Sequence, residues 1–389
     1  MRNLRERLMA VTGSRKEAQS AAPPVQEEAC FCREHIAPLS ALHGIERTTL
    51  EDARACDPLF TGERWDVSRL LFLDTETTGL SGGAGTVAFL VGVGFIDERG
   101  MVIRQYVMRN YAQEAQMLAQ IAAHFERADV VVTFNGKSFD LPLLESRMIL
   151  NRIRLPVTQY PHLDLLHAAR RVYKLRLGRC TLSALEKAVL GTGREDDLPG
   201  AQVPQRYFDY IRTREFALLE DVLRHNLQDV QSLAALTGHL CAAFRAPQTV
   251  EHEQDLLGVG RTLMRGGHTQ RARTCFKILG HSSLSGQAHM HLAVSYRRAQ
   301  EWQEAVESWR TMIARGEGGT WPYIELAKYW EHVAGDLPQA LSCACAALRC
   351  ALNTAQLTGT EVQIESIHRR IARLKRKLAA RKQTGGTQP

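Results

Sequence analysis

The segment LLFLDTET, residues 70–77, constrains this chain more than any other. It is an apolar strand that runs straight into two carboxylates, and a strand buried that way must find a use for the charges. The run is far too short to span a bilayer, so it reads as a buried strand. Side chains alternate along a strand, which puts Asp74 and Glu76 on one face and Thr75 on the other. Two later segments carry acids in contexts that converge with these: Asp140 in VVTFNGKSFDLPLL and Asp229 in RHNLQDVQSL. His225 stands four residues before Asp229 in a helical pattern and therefore on the same helix face. Oxygen-rich clusters of this kind hold Mg²⁺ or Mn²⁺, and two such ions clamp both oxygens of an in-line phosphoryl displacement. The pattern predicts a nuclease-like site.

A scaffold for these acids is visible around them. RLLFLDTE, TVAFLVGVGFID, MVIRQYVM and DVVVTFN read as strands, the first three as a meander joined through SGGAGT and DERG. EAQMLAQIAAHFERA has helical spacing and crosses to the fourth strand. Helices follow in LPLLESRMIL, TLSALEKAVL and FALLEDVLRHNLQDVQSLAALTGHL. Residues 67–245 thus form an α/β domain with a mixed sheet flanked by helices. Residues 1–40 read as a weak helix and a linker rich in small and polar residues, and 41–66 as a lead-in with no assignable elements.

Beyond residue 250 the strands stop. Leu257-Gly258, Leu292-Ala293 and Leu326-Ala327 recur 35 and 34 residues apart, and Ala272, Ala305 and Ala340 recur 33 and 35 apart. A period near 34 with small residues at helix crossings is the tetratricopeptide pattern, here over 250–360; an unrelated helical bundle is the competing reading. Residues 361–389 form a basic amphipathic helix and tail. Ile364, Ile367, Ile371, Leu374 and Leu378 make a narrow stripe along it, suited to capping the repeats or to a coiled-coil seam.

The net charge of +7 is a property of that tail, which holds eight Lys or Arg from Arg369 to Lys382 and no acid. It attracts phosphate backbones or acidic proteins, or it is a solvated face. A second basic run, Arg170, Arg171, Lys174, Arg176 and Arg179, is either a solvated face or a phosphate track. Nine cysteines at irregular spacing fit reduced cytoplasmic thiols better than a disulfide framework. Cys30, Cys32 and His35 lack an evident fourth ligand for zinc. No run approaches the length of a membrane span, and the N-terminus shows no signal-peptide core.

DTETTGL, FNGKSFDLPLL and HNLQDV, in this order, resemble the three exonuclease motifs of the DEDD superfamily, whose fold is ribonuclease H-like. The histidine in the third motif is similar to the histidine subtype. GLSGGAGTVAFLVG, GRCTLSALEKAVLG and DDLPG resemble the bacterial YprB-like proteins, which join a ribonuclease H-like exonuclease domain to tetratricopeptide repeats. The resemblance implies 3′-to-5′ hydrolysis of single-stranded DNA or RNA ends with two Mg²⁺ or Mn²⁺ ions. Asp74, Glu76 and Asp229 would hold the first ion, with Asp74 bridging to the second and Asp140 acting on a metal through water. His225 would be the general base. The backbone of Thr77, Thr78 and Gly79 would hold the terminal nucleotide and Leu80 would wedge against its base. Asn135 binds substrate or caps the following helix; Phe139 stacks on a base or joins the core. Glu114 would present an acid to the terminal sugar, and Asp164 is structural or lines the site. The repeats would recruit a protein partner. The reading in a different class is a nucleic-acid-binding scaffold with little turnover.

Overall fold

The computed structural model describes residues 30–79, 85–194, 198–358 and 361–384. Six strands form one mixed sheet: β1 (Phe31–Ala37), β2 (Leu70–Thr77), β3 (Ala88–Asp97), β4 (Gly100–Val107), β5 (Val130–Thr133) and β6 (His162–Asp164), in the spatial order β1-β4-β3-β2-β5-β6. β2, β3 and β4 are the expected antiparallel meander, and β5 returns parallel to β2. Asp74 and Glu76 therefore sit on a central strand, next to the point where pairing changes from antiparallel to parallel.

Two strands depart from the sequence reading. β1 falls inside the segment read as a linker to residue 40, yet it pairs antiparallel with β4 from Phe31–Val107 to Ala37–Met101. Its charges hid it. Glu34 faces its register partner Arg104 at 2.8 Å, a cross-strand ion pair where a hydrophobic pattern would be sought. β1 also turns Cys32 and His35 to opposite faces of the sheet, so they cannot share an ion. β6 lies in the polar PHLDLLH and pairs parallel with β5. The helical expectation for residues 1–29 lies outside the described residues.

Helices cover both faces. In chain order they are α1 (Leu50–Cys56), α2 (Glu114–Phe125), α3 (Asp140–Leu150), α4 (Leu165–Leu177), α5 (Leu182–Leu185, continued by a π-turn over Glu186–Leu190), α6 (Val203–Thr213) and α7 (Glu220–Arg245). α1 falls in the unassigned lead-in, although Thr49 and Asp52 form a capping box at its start. One core packs Leu71, Leu73 and Val131 of the sheet against Ile121 of α2, Leu144 of α3 and Tyr207 of α6. The other packs Leu70, Phe72 and Val132 against Val172 of α4 and Leu233 of α7.

The remaining helices are α8 (Glu253–Arg265), α9 (Thr269–Ile278), α10 (Ser285–Arg298), α11 (Trp302–Ala314), α12 (Trp321–His332), α13 (Leu337–Thr358) and α14 (Glu361–Thr384). They are an all-helical region in which successive helices pack on one another. The second sheet core runs without a break into α8 and on to Trp309 of α11. Gly258 explains how. A Cβ there would lie 2.6 Å from the Arg171 carbonyl of α4, so α8 seats directly on the backbone of the sheet domain. The glycine that marked the repeat in sequence serves the contact between domains, and Gly260 opens the crossing of α8 with α9, where a Cβ would meet Cys275 at 2.9 Å. The far end has its own core, chiefly Ala327, Ala340, Ala344 and Ala347 against Ile367, Ile371 and Leu374. α14 therefore packs on the array as a cap. Among the described residues no helix is long and apolar enough to cross a membrane.

Candidate active site

The site is assembled where β2 ends. A register shift between Glu76 and Thr77 loosens the ladder there and re-aims the strand end. Thr77 and Thr78 fold the backbone onward: Thr77 Oγ1 donates to the Gly79 carbonyl at 2.8 Å, and Thr78 Oγ1 accepts from the Val87 amide at 3.0 Å. Leu80 lies outside the described residues.

α7 brings the third motif onto the Asp74 face, and glycine is the reason it can approach. Gly92 is the register partner of Asp74 on β3. A Cβ at Gly92 would lie 2.3 Å from Asn226 Oδ1, a clash with the residue that tethers Asp74. Asn226 Nδ2 donates to Asp74 Oδ2 at 2.8 Å, while its Oδ1 accepts from Gln105 Nε2 at 3.0 Å. Gln105 is itself fully buried and donates to the Leu223 carbonyl at 2.7 Å, which fixes the amide orientations. Asn226 and Gln105 were not singled out in the sequence, though Asn226 lies inside HNLQDV and an amide in a buried strand position was a signal.

Asp140 arrives from the other side. It opens α3, where an acid is favoured by the helix dipole, and accepts a hydrogen bond from Thr75. Thr75 turns away from Asp74 and Glu76 as expected, and that is what lets it hold the fourth acid. Asp164 fixes the loop before Asp140: it accepts from the amides of Asn135 at 2.8 Å, Lys137 at 3.2 Å and Leu166 at 3.1 Å. Asp164 is thus structural. Asn135 is exposed with φ of 71°, in the left-handed region, and does not cap α3; Phe139 occupies the position before α3 and is half-buried outside both cores. Glu114 does not face the site: it is clamped by Arg147 at 2.6 Å and by Asn151 at 3.0 Å.

Burial, and then the charges of Asp229 and Asp140, push the Asp74 carboxyl well above its ordinary range. Glu76 is pushed up likewise by burial and then by Asp74, Asp229 and Asp140. Burial lifts Asp140 to about 6 despite the hydrogen bond from Thr75, and raises Asp229 even with His225 and Arg194 beside it. These shifts mark a convergence of acids short of positive charge. Glu76, His225 and Asp229 each offer a ligand atom within 4.8 Å of the others. An oxygen-rich set with one nitrogen fits a hard divalent cation. Asp74 and Asp140 do not join that trio in this arrangement, being held by Asn226 and Thr75.

A further residue of the site had no role in the sequence reading. Arg194, in GTGREDDLPG, is only 7% exposed and pairs with Asp229. Its Nε and Nη2 also hold Glu186 at 2.5 and 2.7 Å, and its Nη1 lies 3.0 Å from His225 Nδ1. Arginine can only donate, so His225 Nδ1 accepts and the ring proton sits on Nε2, which faces Asp229 at 3.5 Å and Glu76 at 3.9 Å. Glu186 is completely buried at the head of the π-turn and accepts a second bond from Ser232 at 2.5 Å. A lone arginine in a glycine-rich segment carries no periodicity, so only the fold reveals it.

The second basic run divides. Arg171 bonds the Cys56 carbonyl at 2.9 Å and Arg176 pairs with Asp255 at 2.7 Å, while Arg170, Lys174 and Arg179 are exposed.

Residues 71–241 match the RNase H superfamily. Over 369 residues the chain is 33% identical to the protein YprB of Bacillus subtilis strain 168, covering 91% of this chain and 88% of that one. It also superposes on the family B DNA polymerase of the hyperthermophilic archaeon Pyrobaculum calidifontis, at 15% identity over 55% of this chain and 29% of the polymerase, with a TM-score of 0.35.

Proposed function

Since the chain belongs to the family of Bacillus subtilis YprB and carries a domain of the RNase H superfamily, we propose that it is a metal-dependent exonuclease. It removes nucleotides in the 3′-to-5′ direction from single-stranded DNA or RNA ends, as a histidine-type member of the DEDD group. The observation that carries this reading is the meeting of Asp74, Glu76, Asp140 and Asp229 from three distant segments, each raised by burial and two of them, Asp74 and Glu76, also by the charge of the other acids. A scaffold that only bound nucleic acid would gain nothing by turning unbalanced carboxylates toward phosphates.

Asp74, Glu76, Asp140 and Asp229 would hold two Mg²⁺ or Mn²⁺ ions, which when bound supply Lewis acidity at the scissile phosphate and acidify water. His225 takes the proton of the attacking water, a task that needs a lone pair on the nitrogen facing the acids. The turn from Thr77 to Gly79, fixed by its own hydrogen bonds, would present backbone to the terminal nucleotide, and Leu80, outside the described residues, would wedge against its base. Asn135, which is exposed, and Phe139, half-buried ahead of Asp140, would make sugar and base contacts. The helical array acts as tetratricopeptide-like repeats that bind a protein partner, and the protein works in the cytoplasm.

The test is a panel of DNA and RNA oligonucleotides labelled at either end, incubated with Mn²⁺, Mg²⁺ or EDTA. Stepwise loss of a 3′ label with either metal and none in EDTA is expected. His225→Ala should lower turnover by about two to four orders of magnitude, the usual span for a lost general base. Binding of these strands without cleavage under every metal would favour the scaffold reading, for which the seating of Arg194 on Asp229 is the one supporting contact.

A further inference from the structure

We infer that Arg194 is an internal cation that competes with the divalent metal for Asp229, so that the metal-free site is latched shut by its own side chain. This rests on the metal-dependent reading above. Two contacts argue for it. The guanidinium pairs with Asp229, one of the metal-ligand trio, and touches His225, another. It supplies positive charge at the acid cluster, the kind of charge a metal would bring. Its bond to His225 Nδ1 leaves the ring proton on Nε2, the nitrogen that faces Asp229 and Glu76. With Nε2 protonated, a neutral His225 cannot accept a proton on the side of the acids, so the latched arrangement is also the wrong tautomer for a general base acting there.

The latch is anchored at one end only. Nε and Nη2 hold Glu186, and Glu186 is fixed in turn by Ser232 on α7. That pairing does not depend on Asp229. When a cation draws Asp229 and His225 away, Arg194 keeps a buried partner and is not left as an uncompensated charge. The π-turn that carries Glu186 is a local irregularity of the kind that recurs where a side chain must be aimed. An arginine serving only to brace the helices would need Glu186 and Ser232; it would not need to engage two residues of a metal site.

Competition and bracing predict opposite signs for metal affinity. Calorimetric titration of the full chain with Mn²⁺, without nucleic acid, should give a Kd for Arg194→Gln lower by about tenfold, a usual size for coupling between two binding events. The same variant should melt lower than wild type in EDTA and show a larger rise in Tm on adding Mn²⁺. If the single variant does not fold, Glu186→Gln with Arg194→Gln removes both charges of the anchor and keeps the comparison. Unchanged or weaker Mn²⁺ binding by a folded variant overturns the latch while leaving the nuclease reading in place. A wild-type chain that binds no Mn²⁺ at all overturns both.

Discussion

Two buried charge clusters among the described residues have opposite imbalance. At the end of β2, Asp74, Glu76, Asp140, Asp229 and Glu186 meet with Arg194 as the arginine paired to two of them. At the far end of the array, buried Glu331 of α12 receives Arg373 at 2.6 Å, Lys377 at 2.9 Å and Arg370 at 3.3 Å from α14. The consequences for the acids are opposite. Burial alone would raise Glu331, but its hydrogen bonds to Lys377 and Arg373 outweigh this and hold it below its ordinary value. In the site, burial and like charge act together and the carboxyls rise. An excess of cations around an acid docks a helix; an excess of acids calls for something from outside the chain.

The sharpest way to break that contrast is Asp74→Asn. It removes a charge but keeps an acceptor for Asn226, so cleavage should fall below roughly a thousandth of wild type. The fold should survive, with Tm in EDTA equal or higher because repulsion is relieved. Asp229→Ala is a less clean probe than its position in the motif suggests, since it also strips Arg194 of a partner. Wild-type cleavage by Asp74→Asn, with contaminating nuclease excluded, would end the metal-site assignment.

Next in size is the opposite cluster. Glu331→Gln leaves three cations of α14 around a neutral group, and breaking a buried pair in this way costs about 3 kcal/mol. Equilibrium denaturation should show the loss, and oligonucleotide cleavage at saturating substrate should not change. A smaller effect is expected from pH. Asp140 is raised from 3.8 to about 6. The native state therefore holds a proton that the unfolded chain has released between these values. Stability without metal must then fall as pH rises through that window. Tm in EDTA should be a few degrees higher at pH 5 than at pH 7, and Mg²⁺ should flatten the difference; a Tm in EDTA that climbs from pH 5 to 7 contradicts the account.

The smallest effect concerns nucleic-acid binding by the tail. Four of its basic groups are engaged within the chain, since Arg370, Arg373 and Lys377 meet Glu331 and Arg381 donates to the Gly335 carbonyl at 3.2 Å. Lys375 and Arg376 are exposed. Replacing these two with Gln should shift the logarithmic salt dependence of oligonucleotide binding by at most about 1.4, or roughly 0.7 for each phosphate contact. An unchanged slope removes the tail from the nucleic-acid surface.

What could be read in the sequence, and what could not, follows from how each interaction is encoded. β2 to β5 and the long helices announce themselves through periodicity, and the paired acids through their place on a strand. The tethers do not. Asn226 reaching Asp74, Gln105 behind it and Thr75 under Asp140 join residues 152, 121 and 65 positions apart, where no local pattern can connect them. β1 carries Arg33, Glu34 and His35 along its middle and β6 is only three residues long, so neither shows an apolar strand pattern. Arg194 is the extreme case, a single cation in a loop whose partners lie 8 and 35 residues away.

Gly258 has a mechanical meaning. Because α8 rests on the backbone of α4, with no side chain between them, the array is not a tethered arm but a bracket cast in one piece with the sheet. A chain ended near residue 250 would bare the flank of Val172 to water, and the helices cut away would bare Leu256 and Leu257, so the two halves cannot be expected to behave as independent parts. Anything bound by the far helices would be held at one distance and one angle from the acids, set by packing and not by the statistics of a linker. Reach, in such a molecule, is fixed by the number of helices in the array.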